Sequence, residues 1–146
     1  MLLRIEEPPE PEPLRKMIKT KSVYSAKEPK KDGLRILATR IRGRGLPKSE
    51  YDVWMGNLGP SQRLLNDGKT GKITWAQFRR LYRNELFESD SFDKKNGVIK
   101  NHGQKFTLRL IQKLAKKGTV TVMCHCAEDE PDCHRHILKK LLDGKI

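Results

Sequence analysis

The C-terminal third of the chain alternates between helical and strand patterns, and this order limits the fold more than any other feature. Thr119–Cys124 is a short β-prone run, and the segments on either side of it repeat apolar residues at three- and four-residue intervals. A strand between two helices pairs in parallel through crossover connections, so that helices cover the sheet. We therefore predict an α/β domain with a small, mostly parallel sheet covered by helices, in a single three-layer domain.

The two flanking helices are predicted from their apolar faces. The first is expected to end in a left-handed cap at Gly118. Its predicted core-facing residues are Phe106, Leu110, Ile111 and Leu114. The second is expected to include Pro131 in its first turn. Its predicted apolar side consists of Ile137, Leu138, Leu141 and Leu142.

The preceding part of the chain contains further strand and helix patterns. Residues 17–24 and Leu34–Ile41 are β-prone and are predicted strands. Ser49 is a predicted cap for a helix that extends to Trp54, and Ser61 opens a second helix that ends near Gly68.

A third helix in this part is predicted from a capping box formed by Thr74 and Gln77. Its expected inner stripe is Trp75, Phe78, Tyr82 and Leu86. Its expected outer residues are Arg79, Arg80 and Arg83. Residues 90–103 lack a sustained period and are a predicted loop.

The chain is strongly basic, with a formal net charge of +13 at pH 7 over 146 residues. Residues 1–13 contain one arginine, four glutamates and four prolines, and are a predicted flexible acidic tail; residues 14–146, with a net charge of +16, are a predicted single domain. A cationic body favours phosphates, nucleotides and nucleic acids as partners. No run is apolar and long enough for a membrane span or a secretory signal, so a cytoplasmic protein is predicted.

The candidate functional site is the segment from Cys126 to Arg135, between the last predicted strand and the last helix. Ligands of open α/β sheets bind beyond the carboxyl ends of the strands, where a helix N-terminus also favours anions. The same setting is expected to lower the pKa of Cys133. In a catalytic interpretation Cys126 or Cys133 is the nucleophile, Glu128 or His134 transfers a proton, and Arg135 binds an anionic substrate.

Two other interpretations of the same residues stay open. Cysteine and histidine are ligands that zinc prefers, although a C-x-C pair and a six-residue gap are not its usual spacings. The zinc ligands would be Cys124, Cys126, Cys133 and His134. Alternatively the thiols are small buried apolar groups and His134 is a core histidine. No cofactor is predicted, with zinc as the exception if the metal interpretation holds.

A cationic turn, Arg42–Gly45, follows the strand predicted to end at Ile41. Its glycines permit close approach of the backbone to a ligand, and its arginines supply donors. We expect this turn and the start of the terminal helix to share one rim and one pocket. The predicted anion-binding residues are Arg40, Arg44, Gly45, Ser61 and Arg135.

At this point the residues resemble those of domain-of-unknown-function family 488. Its C-terminal pattern of Cys-Ala-Glu, a short acidic stretch and Cys-His-Arg is matched by residues 126–128 and 133–135. The similarity covers the chain from the first strand to the last helix, apart from the tail before about Leu14 and much of the loop after Leu86. Thr39 and Gly43 depart from one branch of the family, which has Asp and Pro there. The other positions that match this branch are Arg40, Arg44, Gly45, Trp54, Pro60, Ser61, Trp75, Phe78, Tyr82, Glu85 and Leu86.

The resemblance implies a fold and a site but no reaction. It weighs against zinc, because Cys124 lies outside the family pattern. The leading hypothesis is an enzyme or binding domain for a small anionic ligand, such as a nucleotide or phosphate ester. The alternatives are a nucleic-acid-binding module that uses the basic surface, and a structural zinc site without catalysis. The sequence indicates no oligomeric state.

Overall fold

The computed structural model describes residues 17–88, 90–91, 100–101 and 103–146. The strands of the main sheet in these ranges are β1 Ile18–Ser22, β2 Leu34–Leu37, β3 Val53–Trp54 and β6 Val120–Cys124. All four are parallel, and their order in the sheet is β1-β6-β2-β3. Because β6 lies between β1 and β2, the last strand of the chain is a central strand. The all-parallel sheet confirms the predicted α/β class.

A second, antiparallel pair of short strands joins β4, Asp90–Ser91, to β5, Lys100–Asn101. These strands fall within the predicted loop 90–103, so the prediction of a loop throughout is wrong. The rest of that loop, like the predicted tail 1–13, is largely outside the described residues.

The α-helices that the structure describes are α1 Pro29–Asp32, α2 Gln62–Lys69, α3 Trp75–Phe87, α4 Lys105–Ala115 and α5 His134–Asp143. Ser61 caps α2 through its hydroxyl, which accepts from the amide of Leu64. Thr74 and Gln77 form the predicted capping box at the start of α3. The starts of both helices are therefore as predicted. No helix in the described ranges is long and apolar enough to cross a bilayer.

The two faces of the sheet are covered by different parts of the chain. Ile36 and Val122 point to the side of α2, α3, α4 and α5, where the main core includes the buried Leu138 of α5. Leu37 and Met123 point to the opposite side, where a smaller cluster is closed by the loop that follows β2. Because neighbouring residues of a strand face opposite sides, a shift of one position along the strand moves a side chain to the other face of the sheet.

The predicted helix from Ser49 to Trp54 is wrong. Lys48–Glu50 forms one 3-10 turn, and Val53–Trp54 is the edge strand β3. The amide of Asp52 donates to the carbonyl of Arg35 at 2.9 Å, and the amide of Met55 donates to the carbonyl of Leu37 at 2.9 Å. Main-chain pairing with β2 therefore determines the strand conformation of this segment. Its own side chains show no alternation of apolar and polar residues that would predict a strand.

The predicted inner face of α4 is largely wrong. Ile111 is fully buried, but Phe106, Leu110 and Leu114 are 61%, 55% and 39% exposed. The buried positions are Leu108, Ile111 and Ala115. Apolar residues occur on more than one side of this helix, so its sequence does not define one inner face.

The predicted end of α4 and the predicted start of α5 also differ from those in the structure. Gly118 does not have the positive φ of a left-handed cap, and α4 ends at Ala115, followed by the C-cap residue Lys116, whose amide donates to carbonyls of the preceding turn. Pro131 precedes α5 rather than lying in its first turn, because the N-cap is Cys133. The acidic loop is therefore longer than predicted, and Cys133 is the residue that turns the chain into the helix.

Candidate active site

Three cysteine sulfurs converge where β6 ends and α5 begins. Cys124 is the last residue of β6 and Cys133 is the N-cap of α5, and their sulfurs are 2.9 Å apart. The Cys126 sulfur completes a group in which all three sulfurs lie within 4.8 Å of one another. Cys124 and Cys133 are buried, whereas Cys126 is partly exposed. Cys126 is therefore the thiol of this cluster that an external molecule can reach.

Cys126 lines a cavity of about 380 Å³, here called the thiol cleft. The end of α2 and the first residues of α3 and α5 border it, through Lys69, Trp75 and His134. Two helix N-termini and a lysine favour a negative charge in such a space. Glu130 and Asp132 also line it and oppose that preference. The volume fits a small molecule.

Arg135 is 1% exposed, and its guanidinium links the thiol cluster to the loop before α5. Nη1 donates to the Cys124 sulfur at 2.7 Å, and Nη2 donates to the carbonyls of Ala127 and Glu128, both at 3.0 Å. Because these donors already bind protein atoms, Arg135 can bind an external anion only if it first breaks these hydrogen bonds. Its positive charge instead acts on the sulfurs.

The three thiols differ in their pKa values. The pKa of Cys126 is lowered, first because the Cys124 and Cys133 thiols hydrogen-bond to its sulfur, and further by the positive charge of Arg135. The pKa of Cys124 is raised, chiefly because its proton is held in the bond to Cys126. Hydrogen bonds to the two other thiols, together with burial, raise the pKa of Cys133. The expected lowering at Cys133 is therefore wrong, and the cluster favours one thiolate, at Cys126.

His134 is buried and neutral in this environment. Burial lowers its pKa. Nε2 contacts the carbonyl oxygen of Ala38 at 2.5 Å, and since a carbonyl only accepts, Nε2 carries the proton. Nδ1 is then an acceptor, 3.9 Å from the Cys133 sulfur. The imidazole and the ring of Tyr82 are nearly perpendicular, at 87°, with ring centroids 5.8 Å apart.

Glu128 lies over the end of β1. Its Oε2 accepts from the backbone amide of Ser22 at 2.5 Å and is 4.0 Å from Nη2 of Arg135. These contacts tie the loop after β6 to the neighbouring strand. The cavity beside Cys126 is lined by Glu130 and Asp132, whereas Glu128 is not among its lining residues.

The arginine-glycine turn and the thiol cluster lie on opposite faces of the sheet. Arg44 and Gly45 line a separate cavity of about 320 Å³ together with Tyr24. A Cβ on Gly43 would come within 2.8 Å of the His125 ring, so the turn packs directly on the residue that precedes Cys126. The expectation of one shared pocket is wrong, because successive residues at the end of β6 point to opposite sides.

Arg40 and Ser61 stabilise the segment that leads into α2. Arg40 donates to the carbonyls of Gly59 at 2.8 Å and Pro60 at 3.3 Å. The amide of Ser61 donates to Glu85 of α3 at 2.9 Å. Both residues thus hold one wall of the main core, and a direct ligand contact for either stays a prediction.

The three close cysteines could hold a metal ion. The fourth predicted ligand, His134, is not part of this group, although its Nδ1 lies 3.9 Å from the Cys133 sulfur. The guanidinium nitrogen 2.7 Å from Cys124 opposes a cation at the same place. Arg135 already supplies positive charge to this cluster.

Residues 18–145 match the DUF488-N3a family, described as the active DUF488-N3 subclade. The match covers nearly the whole chain, so the chain belongs to this family of unknown function. This finding confirms the resemblance seen in the sequence. No curated protein and no solved structure matches the chain.

Sequence reasoning missed the walls of the thiol cleft that come from α2 and α3. From the sequence, Lys69 has no predicted role and Trp75 is predicted only as a core-facing residue, yet both line the cavity with Cys126. One feature of the sequence could have predicted the role of Trp75. It is the first residue after the Thr74 helix cap, and a large side chain at the start of a helix can border a cavity there as well as pack into the core.

Proposed function

We propose that this protein is a thiol enzyme in which the Cys126 thiolate attacks a small anionic electrophile held in the thiol cleft. The observation that carries the proposal is the division of roles within the cluster: two buried thiols and a buried arginine stabilise negative charge on the exposed sulfur. A cysteine of lowered pKa beside a cavity is the ordinary requirement for nucleophilic catalysis.

In the proposed reaction the Cys126 sulfur forms a bond to the electrophilic carbon or phosphorus of an ester. The leaving group departs with the electron pair of the broken bond and takes a proton from solvent. Water then displaces the sulfur from the intermediate, which returns the thiolate and releases an acid. Arg135 is a positioning residue here, because it acts on the sulfur through Cys124 and the loop carbonyls.

The preference for an anion is supported by Lys69 and by the two helices that begin at the cleft. This makes a phosphate ester or nucleotide the favoured substrate class. Lys69→Gln is expected to raise the KM for an anionic ester and to leave the KM for a neutral ester unchanged. An equal change for both esters contradicts the anion preference.

The experiment is intact-mass spectrometry after incubation with p-nitrophenyl phosphate and, separately, with p-nitrophenyl acetate. The proposal predicts a covalent adduct on Cys126 and release of nitrophenol, both lost in Cys126→Ser. Ala26→Ser, at an exposed residue that does not line the cleft, is the matched control and keeps both. Turnover that survives in Cys126→Ser, or the absence of an adduct with either ester, contradicts the proposal.

A structural zinc site is the second candidate, favoured by the three sulfurs within 4.8 Å. It predicts about one zinc per chain after purification in metal-containing medium, protection of Cys126 from alkylation, and unfolding on chelation. The thiol enzyme predicts zinc well below one per chain and a reactive Cys126. Elemental analysis combined with alkylation therefore separates the two proposals.

A further inference from the structure

A second cavity, of about 680 Å³, lies between α3 and α5 and is here called the cationic groove. Three arginines of α3 form one side of it, and a histidine and two lysines at and after α5 form the other. These residues are Arg79, Arg80, Arg83, His136, Lys140 and Lys145. Its lining as described contains no carboxylate, so the groove concentrates five formal positive charges.

Some cations of this protein are paired with nearby carboxylates, but those of the groove are not, among the residues that the structure describes. Lys21 pairs with Asp32 at 3.1 Å, and Lys139 of α5 pairs with Asp143 at 2.5 Å. Within the described part of the chain, none of the five groove cations forms an ion pair. Like charges three and four residues apart on a helix repel each other, as Arg79, Arg80 and Arg83 do on α3, and a bound anion would relieve this repulsion.

The groove has the form expected for a chain of phosphates rather than for one. Arg79 and Arg83 are four residues apart on α3, which separates them by about 6 Å along the helix axis. On the other side of the groove, Lys140 of α5 and Lys145, which follows this helix, add further positive charge. Trp75 stands at one end, stacked on Phe78 with ring centroids 5.0 Å apart. A row of cations that ends at an aromatic ring is typical of single-strand binding.

We infer that the cationic groove binds a single-stranded nucleic acid, with its phosphates between α3 and α5 and a base against Trp75. Trp75 also lines the thiol cleft, so a bound strand ends beside Cys126. The binding itself needs no thiol chemistry and stands whether or not Cys126 is a nucleophile.

The test is fluorescence anisotropy of the full chain with a labelled oligo(dT) of about 12 nucleotides. Five phosphate contacts predict a slope of log affinity against log salt of about −3.5, with affinity falling about 100-fold between about 50 and 200 mM salt. Arg79→Gln, Arg83→Gln and Lys140→Gln together should weaken binding more than about 10-fold at the lower salt and reduce the slope to about −1.4.

The matched control removes the same charge from the other face of the sheet, by Lys27→Gln, Lys30→Gln and Lys48→Gln, all at exposed residues. It should bind within about twofold of the unchanged protein, because phosphate contacts are local. Cys126→Ser should also bind normally, which separates failure of this inference from failure of the proposed reaction. Equal losses in the two triple variants, no binding at low salt, or tighter binding of a duplex of equal length would overturn the inference.

Discussion

Replacement of Arg135 by methionine removes the group that joins the acidic loop to the thiol cluster. The carbonyls of Ala127 and Glu128 belong to exposed residues that water can reach, so each lost hydrogen bond costs about 0.5–1.5 kcal/mol. The Cys124 sulfur is buried, and loss of its charged donor costs about 1–3 kcal/mol. Relief of a buried charge, whose Nε has no partner among the described atoms, offsets part of this.

The free energy of unfolding of Arg135→Met is therefore expected to fall by about 2–4 kcal/mol, measured by urea denaturation at neutral pH. Arg135→Lys should lie between this variant and the unchanged protein, because lysine keeps the charge but not the planar fork. The exposed Arg79→Met is the control and should stay within about 0.5 kcal/mol. An Arg135→Met protein as stable as that control refutes the assignment of Arg135 as the link between loop and sulfurs.

The remaining predictions concern stability. Burial lowers the pKa of His134 in the folded protein, so as the pH falls the unfolded state binds the proton first. The contribution of neutral His134 to the free energy of unfolding is therefore present above about pH 6.5 and is lost below it, by up to about 1.4 kcal/mol per pH unit. Urea denaturation at a series of pH values should show this slope in His136→Gln and not in His134→Gln; equal profiles contradict it. Gly59→Ala puts a Cβ 2.3 Å from the Arg40 amide nitrogen and should cost about 3 kcal/mol or more, whereas Gly118→Ala enters open space and should be neutral or slightly stabilising. Thermal unfolding of the pair checks this, and similar melting temperatures would be the contrary result.

The parts of the fold that the sequence predicts well are those fixed by local patterns. The capping box of Thr74 and Gln77 and the stripe through Phe78, Tyr82 and Leu86 define α3 before any tertiary contact is known. The edge strand β3 has two residues and is held by main-chain hydrogen bonds to β2. It is therefore too short to show the alternation of apolar and polar residues that would predict a strand. Its existence depends on a partner distant in sequence.

The candidate site divides in the same way. Cys124 and Cys126 are two residues apart at a strand end, so their convergence on one side follows from local geometry, and Cys133 joins them by starting the next helix. The face of the sheet on which the arginine-glycine turn lies depends on the pairing register of β2 and β6, and this register cannot be predicted from the sequence. That difference placed His125, and not a sulfur, against Gly43.

The proposed chemistry requires above all that Cys126 carries a thiolate near neutral pH. The direct measurement is the rate of alkylation by iodoacetamide at Cys126, read by peptide mapping between about pH 5.5 and 9 and compared with a cysteine peptide whose pKa is about 8.5. The rate at Cys126 should change little across this range, while that of the peptide rises about tenfold per unit below its pKa. A Cys126 rate that rises in parallel with the peptide contradicts the claim.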